Sequence, residues 1–81
     1  MTDLKETLRD IACAIVDNPD EVSVVESDSS SEKEVRLILS VAESDMGMVI
    51  GKGGKIAKAI RTVMKAAAAT DGRRVNVEIR E

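Results

Sequence analysis

The N-terminal part of the chain has the hydrophobic spacing of an amphipathic helix. Apolar residues recur there at helical intervals: Leu4, Leu8, Ile11, Ala12 and Ile15. Residues at such intervals share one face of a helix, so the stripe predicts a helix with one buried side. Thr2 or Asp3 can cap its start. Asn18-Pro19 predicts its end, because the residue before a proline is pushed out of helical geometry.

Three later segments have the composition or the alternation of strands. The first is a short run rich in valine: Val22, Val24 and Val25. A polar, serine-rich connection at residues 27–33 follows it. In the second segment apolar residues alternate with mainly polar ones: Val35, Leu37, Leu39 and Val41. The same alternation returns near the C-terminus: Val75, Val77 and Ile79. A period of two is typical of a strand with one buried face.

Two more helices are predicted between the second and third strands. Ser44 or Asp45 can cap a short helix that ends at Gly51. A longer helix runs from about Lys55 to a stop at Asp71-Gly72, because glycine often ends a helix in the left-handed conformation. Five apolar residues of this helix are predicted to face inward: Ile56, Ile60, Val63, Met64 and Ala67.

The predicted element order is α-β-β-α-α-β, an α+β arrangement that covers residues 1–81 as one domain. A short connection joins the first two strands, so they are expected to pair antiparallel. Two helices separate the second and third strands, and a crossover of that length allows a parallel pair. We therefore predict a three-stranded mixed sheet with the helices packed on one face.

The composition narrows the functions that the chain can perform. It has no Phe, Trp or Tyr, so it cannot stack bases on aromatic rings as RRM and OB-fold proteins do. It has no histidine and one cysteine, Cys13, so the usual nucleophilic and metal-assisted chemistries lack their groups. We expect no catalytic activity, no metal and no cofactor. The unpaired cysteine and the absence of a long apolar run favour a cytoplasmic protein that does not enter a membrane.

Charge is distributed unevenly along the chain. The formal net charge is −3, yet residues 1–46 hold 12 acidic and 4 basic side chains, whereas residues 51–74 hold 7 basic and one acidic. Local charge, more than net charge, attracts an anionic ligand. The pattern predicts one basic face on an acidic domain, whose remaining surface repels nucleic acid.

The most informative segment runs from Val49 to Ile60 and reads VIGKGGKIAKAI. A short apolar run breaks at Gly51, turns to Gly54 and re-enters helical spacing at Lys55. Glycine lets the backbone approach a ligand closely, and a helix N-terminus presents unpaired N–H groups. Basic residues follow at intervals of three: Lys52, Lys55, Lys58 and Arg61. The pattern indicates a phosphate-backbone site. It is not a nucleotide-binding P-loop, which needs an earlier glycine and a Ser or Thr after the lysine.

This segment resembles the GxxG motif of KH domains, whose usual pattern is Val-Ile-Gly-x-x-Gly-x-x-Ile-x-x-Ile. The matching residues are Val49, Ile50, Gly51, Gly54 and Ile60. Ala57 departs from the pattern, because isoleucine is usual there, and Ile56 comes immediately before it. A helix and a strand precede the β-α-α-β unit, which resembles the type II KH arrangement. Taken as a whole, the chain is similar to the KhpA family of bacterial single-KH proteins.

The resemblance implies a non-catalytic protein that clamps about four nucleotides of single-stranded RNA through a GxxG loop and an aliphatic groove. The implied phosphate contacts lie in the loop and the helix after it: Gly51, Lys52, Gly53, Gly54, Lys55 and Lys58. Arg61 either extends these contacts or serves elsewhere. The groove candidates are Val49, Ile50 and Ile56. The family also implies a homodimer, pairing with a KhpB (Jag)-type KH protein, and a role as an RNA regulator or RNA chaperone.

Two alternatives stay open at this point. One is a protein-interaction adaptor whose KH fold mainly dimerises or docks a partner, for which the alanine tract at residues 66–69 offers a smooth helix face. The other is single-stranded DNA as the ligand, because no residue in the sequence identifies a 2′-hydroxyl contact.

Overall fold

The computed structural model describes residues 3–27 and 33–81, and its element order is the predicted one. The helices are α1 (Leu4–Ile15), α2 (Met46–Ile50) and α3 (Lys55–Ala69). The strands are β1 (Ser23–Ser27), β2 (Glu34–Ser40) and β3 (Arg74–Arg80). Short 3-10 turns occupy Pro19–Glu21, Glu43–Asp45 and Lys52–Gly54. The predicted cap at Thr2 and most of the polar connection at residues 27–33 lie outside the described residues.

The three strands form one mixed sheet in the order β1-β2-β3. β1 pairs antiparallel with β2, and β2 pairs parallel with β3, as predicted. The predicted apolar face of the second strand is buried: Val35, Leu37, Leu39 and Val41. These side chains pack with residues of α1 and α3 in a single core cluster. The α+β prediction, with a mixed sheet and helices on one face, is therefore confirmed.

Asp3 begins α1 as predicted, since its Oδ1 accepts a hydrogen bond from the N–H of Glu6 at 3.2 Å. Three residues of the predicted stripe are fully buried: Leu4, Leu8 and Ala12. The other two, Ile11 and Ile15, are half-buried against the same core. The hydrophobic spacing therefore identified the inward face of this helix correctly.

The end of α1 differs from the prediction. The helix stops at Ile15, and Val16 is already extended, with φ −84° and ψ 160°. The N–H groups of Asp17 and Asn18 donate to the carboxylate of Asp45, a residue far along the chain. The helix thus ends near this tertiary contact with Asp45, before it reaches Asn18, the residue whose conformation Pro19 restricts.

Asp45 occupies the predicted N-cap position of α2, but its side chain does not cap the helix. The helix begins at Met46, and neither Ser44 nor Asp45 caps it with a side-chain hydrogen bond. Asp45 is 1% exposed, and its carboxylate points to Asn18. The predicted end at Gly51 is correct, because Gly51 follows the last residue of α2.

The inward face of α3 is only partly the predicted one. Its buried residues are Ala57, Ile60, Met64 and Ala68. Ile60 and Met64 are confirmed, whereas the prediction that Ile56 and Val63 face inward is wrong, since they are 38% and 52% exposed. The reason is that small alanines occupy two of the core positions, so the size of a side chain does not mark the buried face.

The predicted stop after α3 is correct. Gly72 has φ +68°, and its N–H donates to the carbonyl of Ala69 at 3.1 Å. The N–H of Arg73 donates back to the carbonyl of Ala68 at 3.0 Å, which is the double closure of a left-handed helix end. Across residues 3–27 and 33–81, none of the helices is long and apolar enough to cross a bilayer.

Candidate nucleic-acid interface

The segment between α2 and α3, which we name the glycine turn (residues 51–54), has a backbone that only glycine adopts readily. Gly51, Gly53 and Gly54 have φ angles of +76°, +65° and +77°. The N–H of Gly51 donates to the carbonyl of Gly47 at 2.9 Å, and the N–H of Gly54 donates to the carbonyl of Gly51 at 3.1 Å. The first bond joins the turn to α2 and the second closes the turn within itself, so its position between the two helices is fixed.

The three glycines are needed for different reasons. At Gly51, an added Cβ would lie 2.3 Å from Cγ1 of Ile56 and 2.9 Å from its backbone nitrogen, so both space and conformation demand glycine. At Gly53 and Gly54, an added Cβ would meet no atom within 4 Å. Gly53 is exposed and Gly54 is half-buried, and the missing side chains leave the outer surface of the turn accessible to a ligand.

The N-terminus of α3 opens directly from the turn. Gly54 precedes it in the left-handed conformation, and no side chain caps the first turn of this 15-residue helix. The positive end of the helix dipole and the first N–H groups are therefore not neutralised by an acidic side chain. Such an end attracts anions and phosphates.

Three lysines surround this helix end. Lys52 lies in the turn, and Lys55 and Lys58 lie in the first part of α3; all three are exposed. In the part of the chain that the structure describes, these three lysines take no part in the salt bridges Arg36–Glu34, Arg73–Asp71 and Arg80–Glu78. Their ammonium groups are available to an anionic ligand that approaches the turn.

Arg61 does not continue the lysine row. Its Nε donates to the backbone carbonyl of Val77 on β3 at 3.2 Å. Three residues of an α-helix rotate by about 60° less than a full turn, so residues at this interval shift around the helix by about 60° at each step. Arg61 therefore lies about 120° around the helix from Lys55, two such steps away. Of the two roles considered for Arg61, the structure favours the one away from the turn.

The three groove candidates lie in different environments. Val49 is 0% exposed and supports the turn from the core, so it offers no surface to a base. Ile50 and Ile56 are both 38% exposed. Met48, which the sequence did not indicate as a groove residue, is 41% exposed. Among the described residues, four of the five exposed large hydrophobic side chains lie on α2 and α3: Met48, Ile50, Ile56 and Val63.

The groups gathered at the glycine turn are cationic side chains, apolar side chains and backbone N–H groups. In the parts of the chain described above, no three His, Cys, Asp or Glu side chains come together as metal ligands. The arrangement that is present combines backbone N–H groups, mobile ammonium groups and apolar side chains. Chemically, this suits a ligand with a phosphate backbone and apolar faces, which is the character of a nucleic-acid strand.

Comparison with known proteins agrees with this arrangement. The model of the family "KhpA/KhpB, KH domain" matches residues 5–79, which include the glycine turn and nearly all of the three strands. The chain belongs to this family. The predicted resemblance of the chain to the KhpA family of KH proteins is thereby confirmed.

Several relatives match over nearly their whole length. The RNA-binding protein KhpA of Clostridium acetobutylicum is 55% identical over 76 residues, which cover 94% of this chain and 99% of that protein. The Bacillus subtilis protein of the same name is 41% identical, and the match covers 98% of each chain. The Aquifex aeolicus protein is 42% identical, and the match covers both chains completely.

Solved structures share the fold at low sequence identity. The domain superposes on Era in its complex with MgGDPNP and nucleotides 1506–1542 of 16S ribosomal RNA, with a TM-score of 0.69 and 20% identity. It also superposes on a variant of Aquifex aeolicus Era bound to GDP·AlF4−, with a TM-score of 0.67 and 20% identity. Each match covers 29% of the Era chain and at least 94% of this one, so the likeness concerns one domain and its fold alone.

Proposed function

We propose that this protein binds single-stranded RNA without catalysing a reaction, and that the glycine turn clamps the phosphates. The observation that carries the proposal is the uncapped N-terminus of α3, which opens from a turn with three positive-φ glycines. Its relatives named RNA-binding protein KhpA, at 41–55% identity, support RNA as the ligand.

Each part of the turn has a role in this proposal. The backbone between Gly51 and Gly54 approaches phosphate oxygens, and Gly53 keeps the outer surface low. Lys52 supplies a mobile charge inside the turn, and Lys55 and Lys58 extend the contact along α3. With about four nucleotides bound and three or four phosphates neutralised, the log–log salt slope is about −2 to −3.

The bases occupy the apolar surface beside the turn. Ile50 and Ile56 are exposed there, and Met48 adds a flexible side chain that can adapt to different bases. Val49 acts from the core by holding the turn in place. Since no aromatic ring is present, contact with the bases is aliphatic, and sequence preference is modest.

Self-association belongs to the same proposal. We expect a homodimer, and pairing with a KhpB (Jag)-type protein, because the family resemblance implies both and Val63 leaves an apolar position on the surface of α3. Two linked sites raise avidity without any new contact. The working role is that of a post-transcriptional regulator or RNA chaperone in the cytoplasm.

Fluorescence anisotropy of a short labelled RNA tests the clamp. The variant carries Lys52→Asp and Gly53→Asp, and aspartate is among the residues that tolerate a positive φ. The matched control carries Lys5→Asp and Ser23→Asp, which make the same change in charge at exposed positions on α1 and β1. Circular dichroism confirms that each protein folds.

We expect binding to be lost in the turn variant and kept in the control. Equal loss in both variants would show that net charge, not the turn, determines binding. Binding to a DNA strand of the same sequence with equal affinity would favour the DNA alternative. No binding by the folded native protein, together with a stable dimer or a captured KH partner, would favour the adaptor.

A further inference from the structure

The glycine turn is preceded by a buried carboxylate that the binding site does not use. Asp45 is 1% exposed and is the one charged side chain among the buried residues that the structure describes. A buried charge is costly unless hydrogen bonds compensate it. The position of Asp45 therefore requires partners, and those partners show what the residue does.

Both oxygens of this carboxylate bind the segment after α1. Oδ2 accepts hydrogen bonds from the backbone N–H of Asn18 at 3.0 Å and from its side-chain Nδ2 at 3.1 Å. Oδ1 accepts from the N–H of Asp17 at 3.3 Å. Two successive backbone N–H groups thus bind an anion, and that anion is a side chain of this same chain.

The contact joins a firmly anchored element to a weakly anchored one. α1 is held in the core by several buried side chains, whereas α2 has 5 residues and one fully buried side chain, Val49. A helix of that length has little stability of its own, so tertiary contacts determine its orientation. Asp45 is tied at the N-terminal end of α2, and the glycine turn begins at its other end.

We propose that Asp45 is a positioning residue for the phosphate-binding turn: by tying the start of α2 to Asp17 and Asn18, it keeps the glycine turn aligned with the N-terminus of α3. The effect on RNA rests on the proposed function, whereas the effect on the turn itself does not. Loss of the tie lets α2 pivot about Val49, and the turn then samples other orientations.

The main variant is Asp45→Asn, which keeps the size of the side chain but replaces one acceptor oxygen with a donor group. Its control is Glu43→Gln, which removes the same charge at an exposed neighbouring position. A milder variant, Asn18→Ala, removes only the side-chain donor and keeps both backbone N–H groups. It serves as the test if Asp45→Asn does not fold.

Two measurements separate positioning from general stabilisation. The first is amide hydrogen exchange of Gly51 and Gly54, whose N–H groups are hydrogen-bonded within the turn region, compared with amides in β3. The second is RNA affinity at a temperature where urea titration shows each variant to be fully folded. If the competent orientation falls to about one tenth of the population, apparent affinity falls about tenfold.

We expect Asp45→Asn to accelerate exchange at Gly51 and Gly54 more than in β3, with weaker RNA binding, and Asn18→Ala to show a smaller change in both. Uniformly faster exchange with unchanged affinity would overturn the proposal, since Asp45 would then serve stability alone. If the native protein binds no RNA, the proposed function fails, and the exchange data still decide whether Asp45 positions the turn.

Discussion

Replacement of Gly51 by alanine is the sharpest test of the turn geometry. Gly51 has φ +76° and ψ 174°, a region that is essentially restricted to glycine and costs other residues about 1–3 kcal/mol. The new Cβ would also lie 2.3 Å from Cγ1 of Ile56, and overpacking of this kind costs about 1–3 kcal/mol. The two effects together predict a loss of about 2–6 kcal/mol in the free energy of unfolding.

This loss is large for a small domain. Stabilities of about 0.05–0.15 kcal/mol per residue correspond to about 4–12 kcal/mol for the whole chain. We therefore expect Gly51→Ala to unfold at a much lower urea concentration than the native protein, as monitored by far-ultraviolet circular dichroism. At the upper end of the range, a measurable fraction is unfolded even without urea.

Gly47→Ala is the matched control, because it makes the same substitution in α2. An added Cβ at Gly47 meets nothing within 4 Å, and Gly47 is not among the positive-φ glycines. Alanine favours a helix interior over glycine by about 0.5–1 kcal/mol, so this variant is expected to be more stable than the native protein. The two alanine variants are thus expected to change stability in opposite directions.

A second substitution identifies the steric part of the effect. Ile56→Ala in the Gly51→Ala background removes Cγ1, which makes the closest contact, but leaves the backbone strain and the 2.9 Å contacts with the Cβ and backbone nitrogen of residue 56. We expect a favourable coupling of about 1–2 kcal/mol between the two sites in a double-mutant cycle. Point mutations cost about 1 kcal/mol of unfolding free energy on average. A loss below that value for Gly51→Ala would refute the reasoning.

The remaining predictions concern single side chains. Lys52→Ala is expected to reduce the log–log salt slope of RNA binding by about 0.7, whereas Lys5→Ala leaves it unchanged, as measured by anisotropy at several salt concentrations. Arg61→Ala is expected to cost about 1 kcal/mol in urea unfolding with an unchanged salt slope, because its guanidinium binds a carbonyl of β3. Asp3→Ala is expected to cost about 0.5–2 kcal/mol through loss of the cap of α1, and Asp10→Ala, an exposed control in the same helix, much less.

The sheet and the inward face of α1 were predictable because their sequence periods are unambiguous. Period two at Leu37 and Leu39 identifies the buried face of β2 directly. The face of α3 was not predictable in the same way, because alanine is common on both buried and exposed helix surfaces. Ala57 and Ala68 are buried while Val63 is exposed, and only the packing of α3 against the core decides which side is inward.

The glycine turn was predictable from the sequence, whereas the tertiary contacts of the residues around it were not. Glycine spacing and the lysines indicated a phosphate site without any tertiary information. Asp45 was interpreted as a cap because acidic residues often precede helices, a local pattern that holds no information about Asn18. The role of Arg61 likewise depends on how close α3 lies to β3, which the charge spacing does not report.

The order of isoleucine and alanine at residues 56 and 57 connects the KH motif with the side chains that hold the glycine turn in place. The usual KH pattern places isoleucine at the position of Ala57, which faces the core here at 5% exposure. The larger side chain instead sits at residue 56, where it fills the space that a Cβ on Gly51 would need. Ile56 thus restricts the turn at Gly51, while Val49 and Asp45 hold α2 in the core. If the turn binds phosphate as proposed, its geometry depends on side chains that need not contact RNA. Substitutions of those side chains are then expected to change RNA affinity without changing the number of charges that RNA meets.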